Sequence, residues 1–417
     1  MGGAKLRRGA AALALVAALG MTACGSDDDD GGGGGGASNG ATSGEPIKIA
    51  VIADVTSQTG VAYPGIPPMI ERAAEEVNAA GGIDGRPIEI TECDLQNLPD
   101  QAVRCARQAV EDGVAAALVQ VAFGAAKVPP IFEEAGIPYL PAFAFEAADM
   151  QSEVSYPMVP GVLTQIAASY LAGQHCENPV LLTFESPSLD YTKELSSMGF
   201  AAAGKEPAKV VAAPLDTKDW APIAAEVTAD DPDCVVPYIN EALTLAFYPA
   251  LQQTGFDGKL VGYQGGVYTE KTLNEFPDLL EGALAVDMSY PFDHEQWDDY
   301  NETMAGLEEE YPAFTSSLVK GSYLNFLAVV DAARRAAEDG KDVTGETMLE
   351  TFASTTDIDT GGLLAPVDTS TEWDVERFPR MFNTSVLVEE IKDGQVTLIE
   401  DGEFQDLGDE IAAVANQ

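Results

Sequence analysis

The sequence predicts an α/β protein with two doubly wound lobes, each built on a parallel sheet. From residue 46 onward, short apolar segments typical of strands alternate with amphipathic segments of helical period. This alternation runs through two successive series, and a chain of 417 residues is long enough for two such lobes. Strands that alternate with helices form parallel sheets that helices cover on both faces.

The first series opens with a strand at 47–55 and a helix at 64–80. Ile70, Ala73 and Val77 recur along one face of that helix, and Gly81 follows its end. The alternation then continues with strands at 87–92, 114–121 and 137–140 and helices at 100–112 and 125–135.

The second series repeats this pattern further along the chain. It consists of strands at 180–184, 209–213, 234–239 and 259–263 and helices at 191–203, 220–228 and 243–253. Both series therefore predict the same kind of layered lobe.

The C-terminal third departs from the simple alternation. A strand at 282–288 leads into helices near 297–310, 317–337 and 345–352. A hairpin follows, with strands at 386–391 and 396–399 around Asp393-Gly394, a dipeptide typical of a type I′ turn. The tail adds elements to both lobes, which predicts that the chain crosses between them more than once.

Residues 1–23 have the pattern of a bacterial lipoprotein signal peptide. Basic residues precede an apolar run that is shorter than the roughly 20 residues of a membrane-spanning helix, and small residues lead to Cys24. The sequence therefore predicts cleavage before Cys24, acylation of that cysteine and attachment to the outer face of the cell membrane. The alternative, an ordinary secretory signal cut nearby, leaves Cys24 unexplained.

Residues 24–45 are rich in Gly, Asp and Ser and predict a flexible tether. A glycine-rich dinucleotide motif and an esterase-like motif at 36–40 both match inside this segment. Neither follows a strand or begins a helix, so neither indicates chemistry.

The charge of the chain argues against several partners. The formal net charge is −46, with 68 acidic and 22 basic residues, whereas nucleic acid and anionic lipid both require basic surface. We interpret the acidity as a solvated surface that keeps an exported protein soluble. Membrane contact is expected through the lipid alone, and the protein is expected to be a monomer.

With Cys24 lipidated, four cysteines remain, an even number in an exported chain, which favours disulfides. Cys93 ends a strand and Cys105 lies in the helix that follows, so a bridge between them closes a short loop. Cys176 precedes one strand of the second series and Cys234 begins another. If those strands are parallel neighbours, their starting ends lie side by side and a second bridge forms.

Four segments of the first series match a known family in order and spacing. They are IAVI at 49–52, EEVNAAGGIDGRPIE at 75–89, QAVEDGVAA at 108–116 and EAGIP at 134–138. Together they resemble the leucine/isoleucine/valine-binding family, the type I periplasmic solute-binding proteins of ABC transporters. The resemblance covers about 46–290 well and the tail loosely.

This resemblance implies two lobes joined by three crossovers, a ligand in the cleft between them, and lobe closure that is presented to the permease subunits in the membrane. On that basis, residues 46–160 and 288–367 form lobe 1, and residues 161–287 and 368–417 form lobe 2.

Ligands of open α/β sheets bind beyond the carboxyl ends of the strands, so the loops that leave the strands predict the lining of the cleft. Those loops are 56–63, 122–126 and 142–146 in lobe 1 and 185–191, 240–241 and 264–268 in lobe 2. The candidate ligand-binding residues on them are Ser57, Gln58, Tyr63, Phe123, Gly124, Phe143, Phe145, Tyr191, Asn240, Glu241 and Gln264.

The lobe-1 loops differ from those of the amino-acid binders that the chain resembles. That family places hydroxyl side chains in the second and third loops, where this chain has AFGA at 122–125 and FAF at 143–145. Backbone N–H groups at Gly124 and Ala125 remain available for a carboxylate. The aromatic candidates predict an apolar pocket that binds leucine poorly, with packing of some rings inside the lobes as the alternative.

Two lobe-2 candidates rest on family positions. Asp190-Tyr191 matches a position that reaches the ligand, and Glu241 matches approximately the acid that pairs with a ligand ammonium. A solvated surface group is the alternative for Glu241. The other polar candidates, Ser57, Gln58, Asn240 and Gln264, rest on position alone.

The leading hypothesis is a lipid-anchored extracytoplasmic substrate-binding protein of an ABC importer. It captures a small organic solute, amino-acid-like or an aromatic or apolar acid or amide, by lobe closure. A sensor module that passes closure to a separate receptor is one alternative, and an enzyme on the same fold is another. We expect no catalytic residue, metal or cofactor, because no CxxC motif occurs and the two histidines, His175 and His294, lie outside the predicted strand exits.

Overall fold

A computed structural model of the chain describes residues 42–57, 62–120, 126–186, 188–239, 241–311 and 316–416. These residues belong to one unit of the chain, residues 40–417. The predicted signal peptide, most of the predicted tether and Cys24 lie outside the described residues.

The first sheet has four parallel strands in the order β2-β1-β3-β4. In chain order the strands are β1 (Ile47–Ala53), β2 (Ile88–Asp94), β3 (Ala116–Val119) and β4 (Tyr139–Pro141). In the parallel register, Ile49 lies opposite both Ile90 and Ala116. β3 is buried along its whole length, as expected in a sheet covered on both faces. The strands predicted in the first series are confirmed, with small shifts at their ends.

The second sheet follows the order β11-β10-β9-β8-β7-β5-β6, and β12 pairs with β10 outside this path. The strands are β5 (Pro179–Glu185), β6 (Lys209–Pro214), β7 (Cys234–Pro237), β8 (Lys259–Tyr263), β9 (Leu284–Asp287), β10 (Ser385–Lys392), β11 (Gln395–Leu398) and β12 (Gln405–Asp406). β5 to β9 are parallel to one another, whereas β10 runs antiparallel to β9. The parallel core of the second series is therefore confirmed.

The predicted C-terminal hairpin is confirmed as β10 and β11, and it extends the second sheet at one edge. Asp393 and Gly394 have φ angles of 52° and 72°. Both central residues of a type I′ turn need positive φ, which Asp-Gly tolerates well. The turn chemistry thus explains why this hairpin could be predicted from two residues.

Helices cover the two sheets and connect their strands. They are α1 (Ile66–Ala79), α2 (Pro99–Asp112), α3 (Val128–Ala135), α4 (Ala147–Gln151), α5 (Gly161–His175), α6 (Leu189–Ala202), α7 (Ala221–Val227), α8 (Glu241–Gln253), α9 (Gln264–Val267), α10 (Glu270–Glu275), α11 (Pro277–Leu280), α12 (Asp298–Thr303), α13 (Leu307–Glu310), α14 (Ser317–Glu338), α15 (Gly345–Phe352) and α16 (Gly408–Ala415).

One predicted helix is wrong as a single element. The segment near 297–310 forms a short 3₁₀ turn, α12 and α13 instead. Gly306, with φ at 91°, lies between the two α-helices. An α-helix requires negative φ at every residue, so this backbone conformation ends one helix before the next begins.

The chain crosses between the sheets three times. After β4 it enters α5, which packs on β7, β8 and β9 of the second sheet. After β9 it returns through α12 to α14, which contacts β3 and β4 of the first sheet. After α15 it reaches β10 in the second sheet. The predicted fold class, two doubly wound lobes joined by three crossovers, is confirmed.

α5 is the longest element that the sequence did not predict. Most of its residues are buried, including the polar Thr164, Gln165 and Ser169. It also packs against α6, where the Ser169 hydroxyl donates a hydrogen bond to the Ser196 Oγ at 2.9 Å. A helix that is buried nearly all round carries no polar stripe, so periodicity does not reveal it.

Both predicted disulfides are confirmed. Cys93 at the end of β2 is bonded to Cys105 in α2, and Cys176 is bonded to Cys234. β5 and β7 are parallel neighbours with Pro179 opposite Cys234, so the two strands start side by side, as the second pairing requires.

Within the described ranges, no helix combines the length and apolar character needed to cross a membrane. The same ranges contain no group of three or more His, Cys, Asp or Glu residues that could hold a metal ion.

Candidate functional site

The carboxyl ends of the strands hold the predicted binding residues that the structure describes. β4 ends at Pro141, shortly before Phe143 and Phe145, and β8 ends directly before Gln264. Several other candidates cannot be placed. The structure does not describe Gln58, Phe123, Gly124, Asn240 or the side chain of Glu241.

Asp94, the last residue of β2, fixes the loop that leaves β1. Its carboxylate accepts hydrogen bonds from the backbone N–H groups of Val55, Thr56 and Gln96 at 3.0–3.1 Å, and from the Thr56 hydroxyl at 2.5 Å. Burial alone favours a higher pKa for Asp94, but these hydrogen bonds outweigh it and the pKa is lowered. The predicted candidate Ser57 follows directly in this anchored loop.

Asp54 ties together the exits of three strands. Its carboxylate accepts a hydrogen bond from the Asn97 N–H at 2.5 Å, and its own N–H donates to the Gln120 side-chain oxygen at 2.6 Å. Asp54 is only 5% exposed, and burial raises its pKa to about 6 against the opposing hydrogen bond from Asn97. These hydrogen bonds therefore connect the described residues at the carboxyl ends of β1, β2 and β3.

Phe143 packs where the chain leaves the first sheet for α5. Its ring lies so close to Gly161 that a Cβ on that glycine would be 2.4 Å from a ring carbon. The side chain is half-buried against the main core. This contact gives Phe143 a structural role at the first crossover.

Phe145 and Tyr191 meet from opposite sheets. Phe145 follows β4, Tyr191 lies in α6 after β5, and their ring centroids are 5.7 Å apart in an edge-to-face arrangement. The Arg377 guanidinium lies 5.1 Å from the centre of the Tyr191 ring and forms a two-bond ion pair with Glu194. Two side chains that the sequence assigned to opposite walls of a cleft are thus in contact.

The hydroxyl of Tyr191 is buried and has no hydrogen-bond partner in the described part of the chain. Burial raises the pKa of Tyr191 to about 12, although the Arg377 charge acts in the opposite direction. The phenol is therefore neutral at physiological pH and can donate one hydrogen bond.

A second aromatic cluster lies at the exits of β7 and β8, where the sequence singled out neither of its tyrosines. The rings of Tyr238 and Tyr263 have centroids 5.5 Å apart, and the Tyr263 hydroxyl donates to the Ile239 carbonyl at 2.9 Å. Burial raises the pKa of Tyr263, and the neighbouring Tyr63 phenol adds to the rise. Tyr63, a sequence candidate that lies between β1 of the first sheet and α1, is therefore near the second sheet.

Gln264 is held by a lysine that sequence reasoning missed. The Lys320 ammonium, near the start of α14, donates to the Gln264 side-chain oxygen at 3.3 Å and to the Asp287 carboxylate at 3.2 Å. Lys320 is only 1% exposed. The only sequence signal was a cation within an otherwise largely apolar helical stretch, and that does not identify its partners.

A family model described as periplasmic binding protein matches residues 46–377. Comparison with curated proteins gives no match. Among solved structures, the leucine-binding protein LivK from Thermotoga maritima is 17% identical, with a TM-score of 0.66 over 87% of this chain and 99% of that one. A fatty acid ABC transporter substrate-binding protein from Thermomonospora curvata is 18% identical, with a TM-score of 0.68 over 88% and 95%.

The substrate-binding protein LivJ of a branched-chain amino acid transporter from Streptococcus pneumoniae, solved with isoleucine, is 17% identical, with a TM-score of 0.64 over 85% of this chain and 99% of that one. At such identities these likenesses show a common fold. The family model, in contrast, spans most of the sequence. The chain therefore belongs to the periplasmic binding protein family.

Proposed function

We propose that this protein is the lipid-anchored substrate-binding component of an ABC importer and captures a small organic solute between its two lobes. The solute has an apolar or aromatic body and few polar groups. Ligand contacts to both walls favour the closed arrangement and so shift the population toward it. The closed form is then presented to permease subunits.

The contact between Phe145 and Tyr191 carries this proposal. It joins a strand exit of the first sheet to a strand exit of the second at a centroid distance of 5.7 Å. Strand exits of open α/β sheets are where ligands bind, and small-molecule sites are mostly apolar with a few placed polar groups. The buried hydroxyl of Tyr191 supplies one such polar group.

Family membership and the solved relatives support a solute rather than a macromolecule as the ligand. The relatives named above bind, by their descriptions, leucine, isoleucine or fatty acids. These compounds share an apolar body and a carboxylate. A periplasmic binding protein acts outside the cytoplasm, which agrees with the export signal predicted at residues 1–23.

Mass spectrometry of small molecules released from the natively purified protein tests the proposal. We expect one dominant solute with an apolar or aromatic body, and calorimetry with that compound should give one site per chain. Absence of any released solute, together with no heat of binding across apolar acids, amides and amino acids, would contradict the function.

The lipid anchor is a separate part of the proposal, because it rests on the residues before the family match. Cys24→Ser should release the protein from the membrane fraction, since acylation needs the thiol of that cysteine. Ser26→Ala is the matched control and should stay with the membranes. A Cys24→Ser variant that still fractionates with membranes would overturn the anchor and leave solute binding untouched.

A further inference from the structure

The ammonium of Lys320 is fully occupied at the junction of the two sheets. Its three hydrogen bonds go to the Gln264 side-chain oxygen at 3.3 Å, the Asp287 carboxylate at 3.2 Å and the Tyr290 carbonyl at 3.2 Å. An ammonium has three donors and no acceptor, so none is left over. The helix that carries it, α14, packs on β3 and β4, whereas Gln264 directly follows β8 and Asp287 ends β9 of the second sheet.

This arrangement fixes which end of the Gln264 amide faces Lys320. Only the oxygen of an amide accepts a hydrogen bond, so the oxygen must face Lys320 and the NH₂ group must face away. Gln264 stands at the exit of β8 and is partly exposed. Its NH₂ group forms no hydrogen bond with any described residue.

Resting on the proposed function, we infer that Gln264, positioned by Lys320, presents a hydrogen-bond donor to the solute, so the solute carries an acceptor there, a carboxylate or amide oxygen. An ammonium at the same place would face two N–H donors and no acceptor, because the amide oxygen of Gln264 already binds Lys320. Removing the acceptor or substituting an amine therefore leaves a desolvated polar group without a partner. The α-ammonium of an amino acid is only one carbon away from its carboxylate and would lie beside the same donors, so the site selects acids and amides that lack a neighbouring amine.

Two sets of probes with constant carbon skeletons test this selection. The aromatic set is 3-phenylpropanoate, L-phenylalanine and 2-phenylethylamine, and the aliphatic set is 4-methylpentanoate, L-leucine and 3-methylbutylamine. By calorimetry on the mature protein, we expect the acid of at least one set to bind at least tenfold more tightly than its amino acid. Neither amine should bind measurably.

Gln264→Glu replaces the donor with an acceptor while keeping the length of the side chain. We expect it to weaken binding of the acid at least tenfold and to shift the preference toward the amino acid. Gln252→Glu adds the same charge on the exposed side of α8 and should change neither. Lys320→Met frees the amide to turn, so the ratio of acid to amino-acid affinity should fall even if both affinities drop.

An amino acid that binds as tightly as its matched acid would overturn this inference and leave solute binding intact. A preserved acid preference in Gln264→Glu would overturn it as well. Failure of every probe would also overturn it, and the proposed function would fail with it only if the purified protein released no solute.

Discussion

A variant of Tyr191 best distinguishes a ligand-binding side chain from one that packs in the core. We predict that Tyr191→Ala lowers the affinity for the released solute at least tenfold, because the ring loses its contact with the ligand. A fully buried ring costs about 3–5 kcal/mol of stability on truncation, and half-buried Tyr191 should cost less. Calorimetry and a thermal melt of the same variant measure both effects.

Tyr191→Phe is the control for the hydroxyl, because it keeps the ring, its edge-to-face contact with Phe145 and its contact with Arg377. We expect an intermediate affinity and an unchanged melting temperature. A collapsed melt of Tyr191→Ala with unchanged affinity would move the residue from the site to the core.

Glu389 gives the folded state a defined pH dependence. The side chain is 0% exposed on β10, and burial, reinforced by the Asp287 carboxylate, raises its pKa from 4.5 to about 8. The folded protein thus keeps a proton that the unfolded chain has already released. The stabilisation from protonated Glu389 is complete at pH values below 4.5, the pKa of this carboxyl in the unfolded chain. It is lost as the pH rises to about 8, the pKa in the folded protein.

The melting temperature should therefore fall between about pH 7 and pH 8, a window above the raised pKa values of Asp54 and Asp149, both about 6. Glu389→Gln should flatten this fall, because glutamine does not titrate. Glu390→Gln is the matched control on the other face of β10 and should keep the slope. A slope that survives Glu389→Gln would show that another group titrates.

At the scale of single residues, the sequence located side chains whose place follows from a strand end. Phe145 was named because it follows a predicted strand, and Tyr191 because it also matches a family position; the structure brings them together. Lys320 was not named, because its partners Gln264 and Asp287 come from another lobe. No local pattern records a contact that only the crossovers create.

At the scale of elements, the close approach of Phe143 to Gly161 controls the start of α5. We predict that Gly161→Ala destabilises the protein by roughly 1–3 kcal/mol, because the added methyl overlaps the ring and the chain must shift. Chemical denaturation measures the loss.

Phe143→Ala should relieve this overlap, so the double variant Gly161→Ala/Phe143→Ala should be more stable than the sum of the two single losses predicts. Additive losses would mean that the ring and the glycine do not restrict each other. Such a result would remove the structural role assigned here to Phe143.

The elements that the sequence predicted have strong local signals. The β10–β11 hairpin follows from Asp393-Gly394, and the amphipathic α1 follows from its apolar stripe. α5 was missed because burial on nearly all sides removes the polar stripe that marks a helix. The break between α12 and α13 was missed because one glycine in a helical pattern is usually tolerated.

At the scale of the whole molecule, the order of strands and helices was sufficient to predict two α/β lobes, and the family resemblance supplied the number of crossovers. The sequence could not predict how closely the lobes contact each other, since that depends on ion pairs such as the one between Lys320 and Asp287. Ligand identity likewise depends on side chains from several loops that meet only in the folded chain.

The central claim is that a solute closes the two lobes, and an electron-spin distance measurement tests it most directly. Spin labels at Leu98→Cys and Leu215→Cys use two exposed positions, 38% and 63% accessible, at strand exits of the first and second sheets. A pair within the first lobe, Leu98→Cys and Lys127→Cys, is the control and should not respond. On addition of the released solute, we predict that the first distance shortens to a single narrower distribution. An unchanged distance under saturating solute would contradict the account.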